Sequence, residues 1–396
     1  MAVIAAAVFG WGALSGRLER ADLTAPIVFV TVGVVLYEVV TVNPHVETET
    51  AKILTEVTLA WVLFSDASQV AVAELRHDAN IFVRLLGLSL PLTIVAGWLL
   101  AWAMFGGFDA WLALLVGAAL APTDAALGAA VFTNPAVPGR VRSILNVESG
   151  LNDGIATPVV LIAIAGTLAH EHSGGGVGHA AVELVLGAAV GAATGAVGGL
   201  IIRTTRRRRW IDEQFAGPAV LALALVAYTL AVAAGGNGFV AAFAGGIAFG
   251  RMTGPAGPTQ VFYVEQTAAL ASLLVWTVFG LIAVPLIRDA LGWQLVIYAI
   301  LSLTLVRMLP VALVLVGTTL DLRTALFIGW FGPRGLASVV FALIATAEIG
   351  APARTAVAAI ATTVLLSVIV HGVTAVPLAR RYGEVSSQSL QVPARA

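Results

Sequence analysis

The sequence predicts an all-α, polytopic membrane protein with about thirteen transmembrane helices. Composition, recurring long apolar segments and the uneven placement of arginine carry that reading. Of 396 residues, 59% are hydrophobic and only 11% charged, against roughly 25% charged in an average soluble domain. Too few polar residues remain to clothe a soluble surface. The balance of 21 basic and 22 acidic residues, net −1, gives no footprint for nucleic acid. Cysteine is absent, which excludes disulfides, thiolate metal sites and cysteine nucleophiles. The first residues carry no basic stretch ahead of an apolar run, so the N-terminus reads as helix rather than signal peptide.

A span needs ~20 mostly apolar residues, because unpaired backbone cannot sit in hydrocarbon. Such segments fall near 1–16, 24–42, 51–72, 81–105, 110–134, 148–169, 181–203, 216–233, 237–250, 262–287, 293–316, 323–347 and 353–378. With the N-terminus outside, the inside loops and tail hold fifteen arginines. These are Arg17, Arg20, Arg76, Arg140, Arg142, Arg203, Arg206 to Arg209, Arg251, Arg323, Arg380, Arg381 and Arg395. The outside loops hold Lys52, Arg288 and Arg354, and Arg84, Arg307 and Arg334 lie within spans. That asymmetry obeys the positive-inside rule, with the C-terminus cytoplasmic. The outer loops around Glu47 to Glu49 and His170 to His179 agree with it, and Trp98, Trp102, Trp111 and Trp293 near span ends read as interfacial anchors.

The seventh segment repeats glycine every four residues, at Gly187, Gly191, Gly195 and Gly199, a bare face for close helix packing. The segments divide as six, one connecting helix (180–204) and six, which predicts two inverted six-helix repeats. Two equivalent segments, the fifth and twelfth, are interrupted: Ala121-Pro122-Thr123-Asp124 and Gly332-Pro333-Arg334-Gly335. A mid-span proline removes a backbone hydrogen bond and breaks the helix. Paired broken helices point to a transport site, with Asp124 and Arg334 offsetting the half-helix dipoles; two separate proline kinks are the plainer alternative.

Ionisable groups at depth are functional candidates; here they are Glu38, Asp66, Asp124, Glu148 and Asp153, with Arg307 and Arg334 as basic counterparts. The sixth segment opens Glu148-Ser149-Gly150-Leu151-Asn152-Asp153-Gly154. Residues four apart share a helix face, so Ser149 stands with Asp153, a hydroxyl and a carboxylate suited to a dehydrating monovalent cation. Glu148 falls on the neighbouring stripe, free to pair with an arginine. Desolvation strengthens a carboxylate's hold on a proton, which lets one group carry either proton or metal ion.

At these residues the chain resembles the NhaP-type sodium/proton antiporters of the monovalent cation/proton antiporter superfamily. The likeness rests on Glu148 to Gly154, Thr123-Asp124, Gly332 to Gly335, and Arg307 followed by Pro310. It implies that Asp153 alternates between proton and cation, with Asp124, Thr123 and Ser149 completing the site and Asn152 tying the crossing chains together. Glu148 would pair with Arg334. The resemblance also implies a homodimer, with residues 1–78 and 205–317 as dimerisation scaffold, 79–179 and 318–382 as the moving core, and 383–396 as a short cytoplasmic tail. The Asn152-Asp153 pair goes with electroneutral exchange of one Na+ or Li+ for one proton. No cofactor is expected beyond the transported ions, and no partner beyond lipid and a second copy. Two departures stand out. Ala125 follows Asp124 where the family often has proline, and Asp66 stands where some relatives use glutamate, either at the site's edge or as a polar contact between domains.

Rival readings are a K+/H+ antiporter, a sodium-coupled organic-anion symporter on the same fold, and an intramembrane enzyme. The last lacks a His-Glu-x-x-His or Gly-x-Ser-x-Gly pattern, and no segment carries the repeated polar stripe of a channel. His170, Glu171, His172 and His179 lie in a glycine-rich loop and read as exposed rather than metal-binding; His371 reads as a satisfied core histidine.

Overall fold

The structure, a computed structural model, describes residues 2–18, 23–39, 48–69, 78–132, 134–172, 177–254, 257–290 and 292–391. Each predicted segment coincides with a helix or a pair of half-helices. In chain order these are α1 (Ala2–Leu18), α2 (Ala25–Val39), α3 (Thr48–Gln69), α4 (Ala79–Met104), α5 (Ala110–Ala119), α6 (Ala129–Phe132), α7 (Gly139–His172) and α8 (Val177–Arg207). They continue as α9 (Glu213–Ala233), α10 (Gly238–Thr253), α11 (Gly257–Ala290), α12 (Trp293–Val314), α13 (Leu322–Trp330), α14 (Leu336–Glu348) and α15 (Arg354–Gln391). Among the described residues seven helices are long and apolar enough to cross a membrane: α4, α7, α8, α9, α11, α12 and the bulk of α15. The loops around Glu47, and the side chains of His170, Glu171 and His172, lie outside what is described. His179 sits 3.2 Å from Glu183.

Small residues set the packing. A Cβ on Gly187, Gly191 or Gly195 would lie 2.3, 2.1 or 2.0 Å from the carbonyl oxygens of Asn237, Ala241 and Gly245. Both lists advance by four, so α8 and α10 run parallel with their backbones in contact. Gly246 and Gly250 of α10 meet the Phe64 and Ser68 carbonyls of α3 in the same way, and Gly33 and Gly280 join α2 to α11. The tryptophans divide. Trp102 and Trp293 are exposed, as anchors should be, whereas the Trp111 ring covers Gly166 inside the protein.

Two features recur seven segments apart. The helices α4 and α12 each contain one π-turn, Leu85–Ser89 and Ser302–Val306. The half-helices α5 and α13 each start on an aspartate cap: Asp109 accepts from Leu112 N at 2.7 Å and Asp321 from Thr324 N at 3.0 Å. Each then ends within ten residues, before the break around Pro122 or Pro333. At the C-terminus α15 continues past residue 382 to Gln391. Residues 384–391 contain neither glycine nor proline, so no helix breaker falls within that stretch.

Candidate functional site

The site is built where the two interruptions touch. Leu120 closes α5, Ala121 N makes a last bond to Ala118 O at 3.3 Å, and the helix does not continue through Pro122 to Asp124. Pro122 supplies no N–H, so the carbonyls at the end of α5 need other donors. They find them on the second break. Arg334 Nη1 donates to Ala121 O at 2.5 Å and Pro122 O at 3.1 Å, and Ser338 Oγ to Ala119 O at 2.6 Å. In return, Asp124 N donates to Pro333 O at 2.8 Å.

Asp124 joins the turn that precedes α6 to the start of α14. Its Oδ1 accepts from Ala126 N and Leu127 N at 2.8 and 3.2 Å, and its Oδ2 from Leu336 N, the start of α14, at 2.8 Å. A carboxylate at a helix N-terminus satisfies orphan N–H groups and meets the positive dipole end. Three of its roughly four lone-pair directions are thereby taken. With Pro122 before Thr123 and Ala125 after Asp124, the helix is still broken here. Gly335 is required here: a Cβ would lie 1.9 Å from Asp124 Oδ2.

Beside the first break runs α7. Asn152 Nδ2 donates to Thr123 Oγ1 at 2.6 Å, and Thr123 Oγ1 and Ser149 Oγ share a hydrogen bond of 2.9 Å. Asp153, 8% exposed, lies one residue on. Its Oδ1 is buried with no hydrogen-bond partner among the described residues, and no arginine pairs with it. Asp66, half-buried on α3, sits beside Gly150 of α7, its Cβ 3.8 Å from where a glycine Cβ would be. The structure thus brings Thr123, Asp124, Ser149, Asn152 and Asp153 to one place, with Asp66 at its border. Glu38 is elsewhere, in an exposed 2.7 Å pair with Arg288.

One pairing is corrected. Glu148 does not meet Arg334; it accepts from Arg307 Nη2 at 2.6 Å, both side chains being almost wholly buried. The reason is the broken backbone: Arg334 is drawn to the carbonyls freed at Ala121 and Pro122. Arg307 leaves the π-turn of α12, whose extra residue re-aims the side chains that follow it.

Sequence reasoning missed three contributors. Pro158 lies inside α7 one turn beyond Gly154, removing the N–H that would hold the Gly154 carbonyl; a proline five residues after Asp153 was a readable signal. Phe243 of α10 lies against Gly154, where a Cβ would be 2.1 Å from its ring, a contact between distant segments that no local pattern announces. The third is the Ser367 and His371 pair on α15.

The fold and this site define a membrane protein of the ion-transporter class: two interrupted helices meeting beside buried carboxylates. Residues 3–381 match the family described as Sodium/hydrogen exchanger, transmembrane, and the chain belongs to that family. It is 27% identical to a probable Na(+)/H(+) antiporter of Schizosaccharomyces pombe over 69% of this chain and 38% of the relative. It is 28% identical to Na(+)/H(+) antiporter 2 of Zygosaccharomyces rouxii over 65% of this chain and 34% of the relative. The K(+)/H(+) antiporter NhaP of Alkalimonas amylolytica is 28% identical over 63% of this chain and 42% of its own length. The chain thus spans a little over a third of the two fungal relatives. Its fold is similar to that of the sodium proton antiporter MjNhaP1 of Methanocaldococcus jannaschii, with a TM-score of 0.76 and 19% identity over 95% of this chain and 96% of that one.

Proposed function

We propose that the chain is a secondary active antiporter that exchanges one Na+ or Li+ for one proton by alternating access. The observation that carries this is the buried, unpartnered Oδ1 of Asp153 beside three groups that can ligate a cation through oxygen: Thr123, Ser149 and Asn152. When the proton leaves Asp153, the carboxylate and neighbouring oxygens take the cation; when a proton returns, the cation departs. Either occupant carries one positive charge, so the loaded site has the same charge in both half-cycles and the exchange moves none across the membrane. Asp124 shares with Asp153 the site for which proton and cation compete and holds the two breaks in register, and Asp66 borders that site.

The recurrent π-turns and aspartate-capped half-helices support two inverted six-helix repeats joined by α8, thirteen crossings, and broken helices crossing at the midplane. In this reading residues 1–78 and 205–317 form the scaffold of a homodimer, 79–179 and 318–382 the moving core, with the N-terminus outside the cell membrane and the C-terminus within. Relatives named K(+)/H(+) antiporters make K+ the second candidate cation.

The test is purified protein in liposomes with an internal pH dye. A Na+ gradient should move the luminal pH, Asp153→Asn should abolish the response, and no membrane potential should develop. An undiminished response in Asp153→Asn would overturn the assignment; K+ in place of Na+ decides the cation.

A further inference from the structure

On α15, Ser367 and His371 stand one turn apart and are both buried, at 0% and 2% exposure. Arg334 N donates to Ser367 Oγ at 2.7 Å. Ser367 Oγ lies 3.1 Å from His371 Nδ1, which also faces Ser367 O at 2.9 Å, and His371 Nε2 lies 2.9 Å from Trp330 O. Both carbonyls can only accept, so each ring nitrogen faces an acceptor and the neutral ring donates to one of them. The contacts connect Arg334 N–H, Ser367 Oγ, the His371 ring and Trp330 O whichever nitrogen carries the proton. The connection starts and ends on the same interruption. Trp330 is the last residue of α13, Arg334 the penultimate residue before α14, and between them the backbone keeps one helical bond, Phe331 N to Phe327 O at 3.0 Å, and one tight turn, Gly332 N to Trp330 O at 2.8 Å.

We propose that Ser367 and His371 are positioning residues that clamp the second break and, through it, fix Asp124 beside the cation site. The link is short. Pro333 O accepts from Asp124 N, and Leu336 N donates to Asp124 Oδ2, so the segment held by the clamp supplies two of the contacts that orient Asp124. Arg334, whose backbone the clamp holds, also caps the first break at Ala121 and Pro122. The imidazole offers ring nitrogens to polar groups of Ser367 and Trp330 that an apolar residue filling the same space would not meet. Neither residue reaches the cation; both act through the backbone of 330–336.

The inference rests on the antiport reading for its transport readout, and amide hydrogen exchange across 331–336 of the purified full chain supplies a readout that does not. Ser367→Ala should speed exchange of the Arg334 amide at least tenfold and raise the half-saturating Na+ concentration about fivefold, with the maximal rate within a factor of two. Ser367→Thr, which keeps the hydroxyl, should restore both. His371→Leu should behave like Ser367→Ala, whereas His371→Gln, which keeps a donor towards Trp330 O, should lie near wild type. Equal impairment in the Leu and Gln variants would reduce His371 to packing and overturn the proposal, as would wild-type exchange in Ser367→Ala. If His371→Leu does not fold, the Ser367→Ala and Ser367→Thr pair, differing from wild type by one oxygen or one methyl, decides it. Transport surviving in Asp153→Asn would remove the antiport reading and leave the exchange result standing.

Discussion

The Glu148–Arg307 pair offers a sharp test of how the core is held. The two side chains are 2% and 1% exposed, with Oε1 and Nη2 2.6 Å apart. Glu148→Gln keeps the shape of the side chain and strips its charge, leaving a guanidinium in the protein interior without its counter-ion. Breaking a buried pair from one side costs about 3–5 kcal/mol, whereas replacing both partners by apolar groups of similar volume is often close to neutral. At roughly 2 °C per kcal/mol for a large chain, Glu148→Gln or Glu148→Leu should lower the Tm by about 6–10 °C. Thermal unfolding of the purified protein in detergent measures this. Glu148→Leu with Arg307→Met should recover most of the loss, while Glu148→Leu with Arg334→Met should not, because Arg334 is engaged by the Ala121 and Pro122 carbonyls. Equal recovery in the two doubles, or a fully additive loss in the first, would refute the pairing and the reasoning behind it.

Asp124→Asn leaves one acceptor oxygen where two serve three N–H groups, so it should cost about 1–2 kcal/mol of stability and abolish Na+-driven pH change in liposomes. Gly191→Ala puts a methyl group 2.1 Å from Ala241 O and should lower stability by about 1–3 kcal/mol, whereas Gly10→Ala, with open space around it, should be neutral or stabilising in the same melt. Arg209, in the turn two residues past α8, has φ 57, a conformation costing an L-residue roughly 1–2 kcal/mol, so Arg209→Gly should raise the Tm. The Thr324 hydroxyl, with its backbone N–H, holds the Asp321 carboxyl below its ordinary value. The stabilisation is therefore present above that ordinary value and lost as pH falls through the folded one. Asp321→Ala should cost about 1 kcal/mol at neutral pH, and the gap should close below about pH 4.

Much of this molecule could be read from its residues because hydrocarbon leaves the backbone few options. Apolar runs of span length gave the helices, and prolines 122 and 333 gave the two interruptions, since a missing N–H is a local fact. The clustering of Thr123, Ser149, Asn152 and Asp153 followed from helical spacing plus family likeness. What escaped depended on where freed backbone groups look for partners. Arg334 was paired on paper with a charge, Glu148, when the broken α5 offered carbonyls closer at hand. Ser367 and His371 were invisible as a unit because the groups they satisfy lie over thirty residues away in sequence and are backbone atoms, which leave no signature in composition. Phe243 against Gly154 is equally non-local.

The glycine seam between α8 and α10 has a mechanical consequence. Where two main chains touch carbonyl to Cα over three successive turns, neither sliding nor rolling is available without collision, so the pair behaves as a single girder. α3 is bolted to the same girder through Gly246 and Gly250. Under the alternating-access mechanism proposed above, the girder is expected to be the part that stays still, while α7 and Asp153 meet it through side chains, Phe243 against Gly154 and Asp66 beside Gly150.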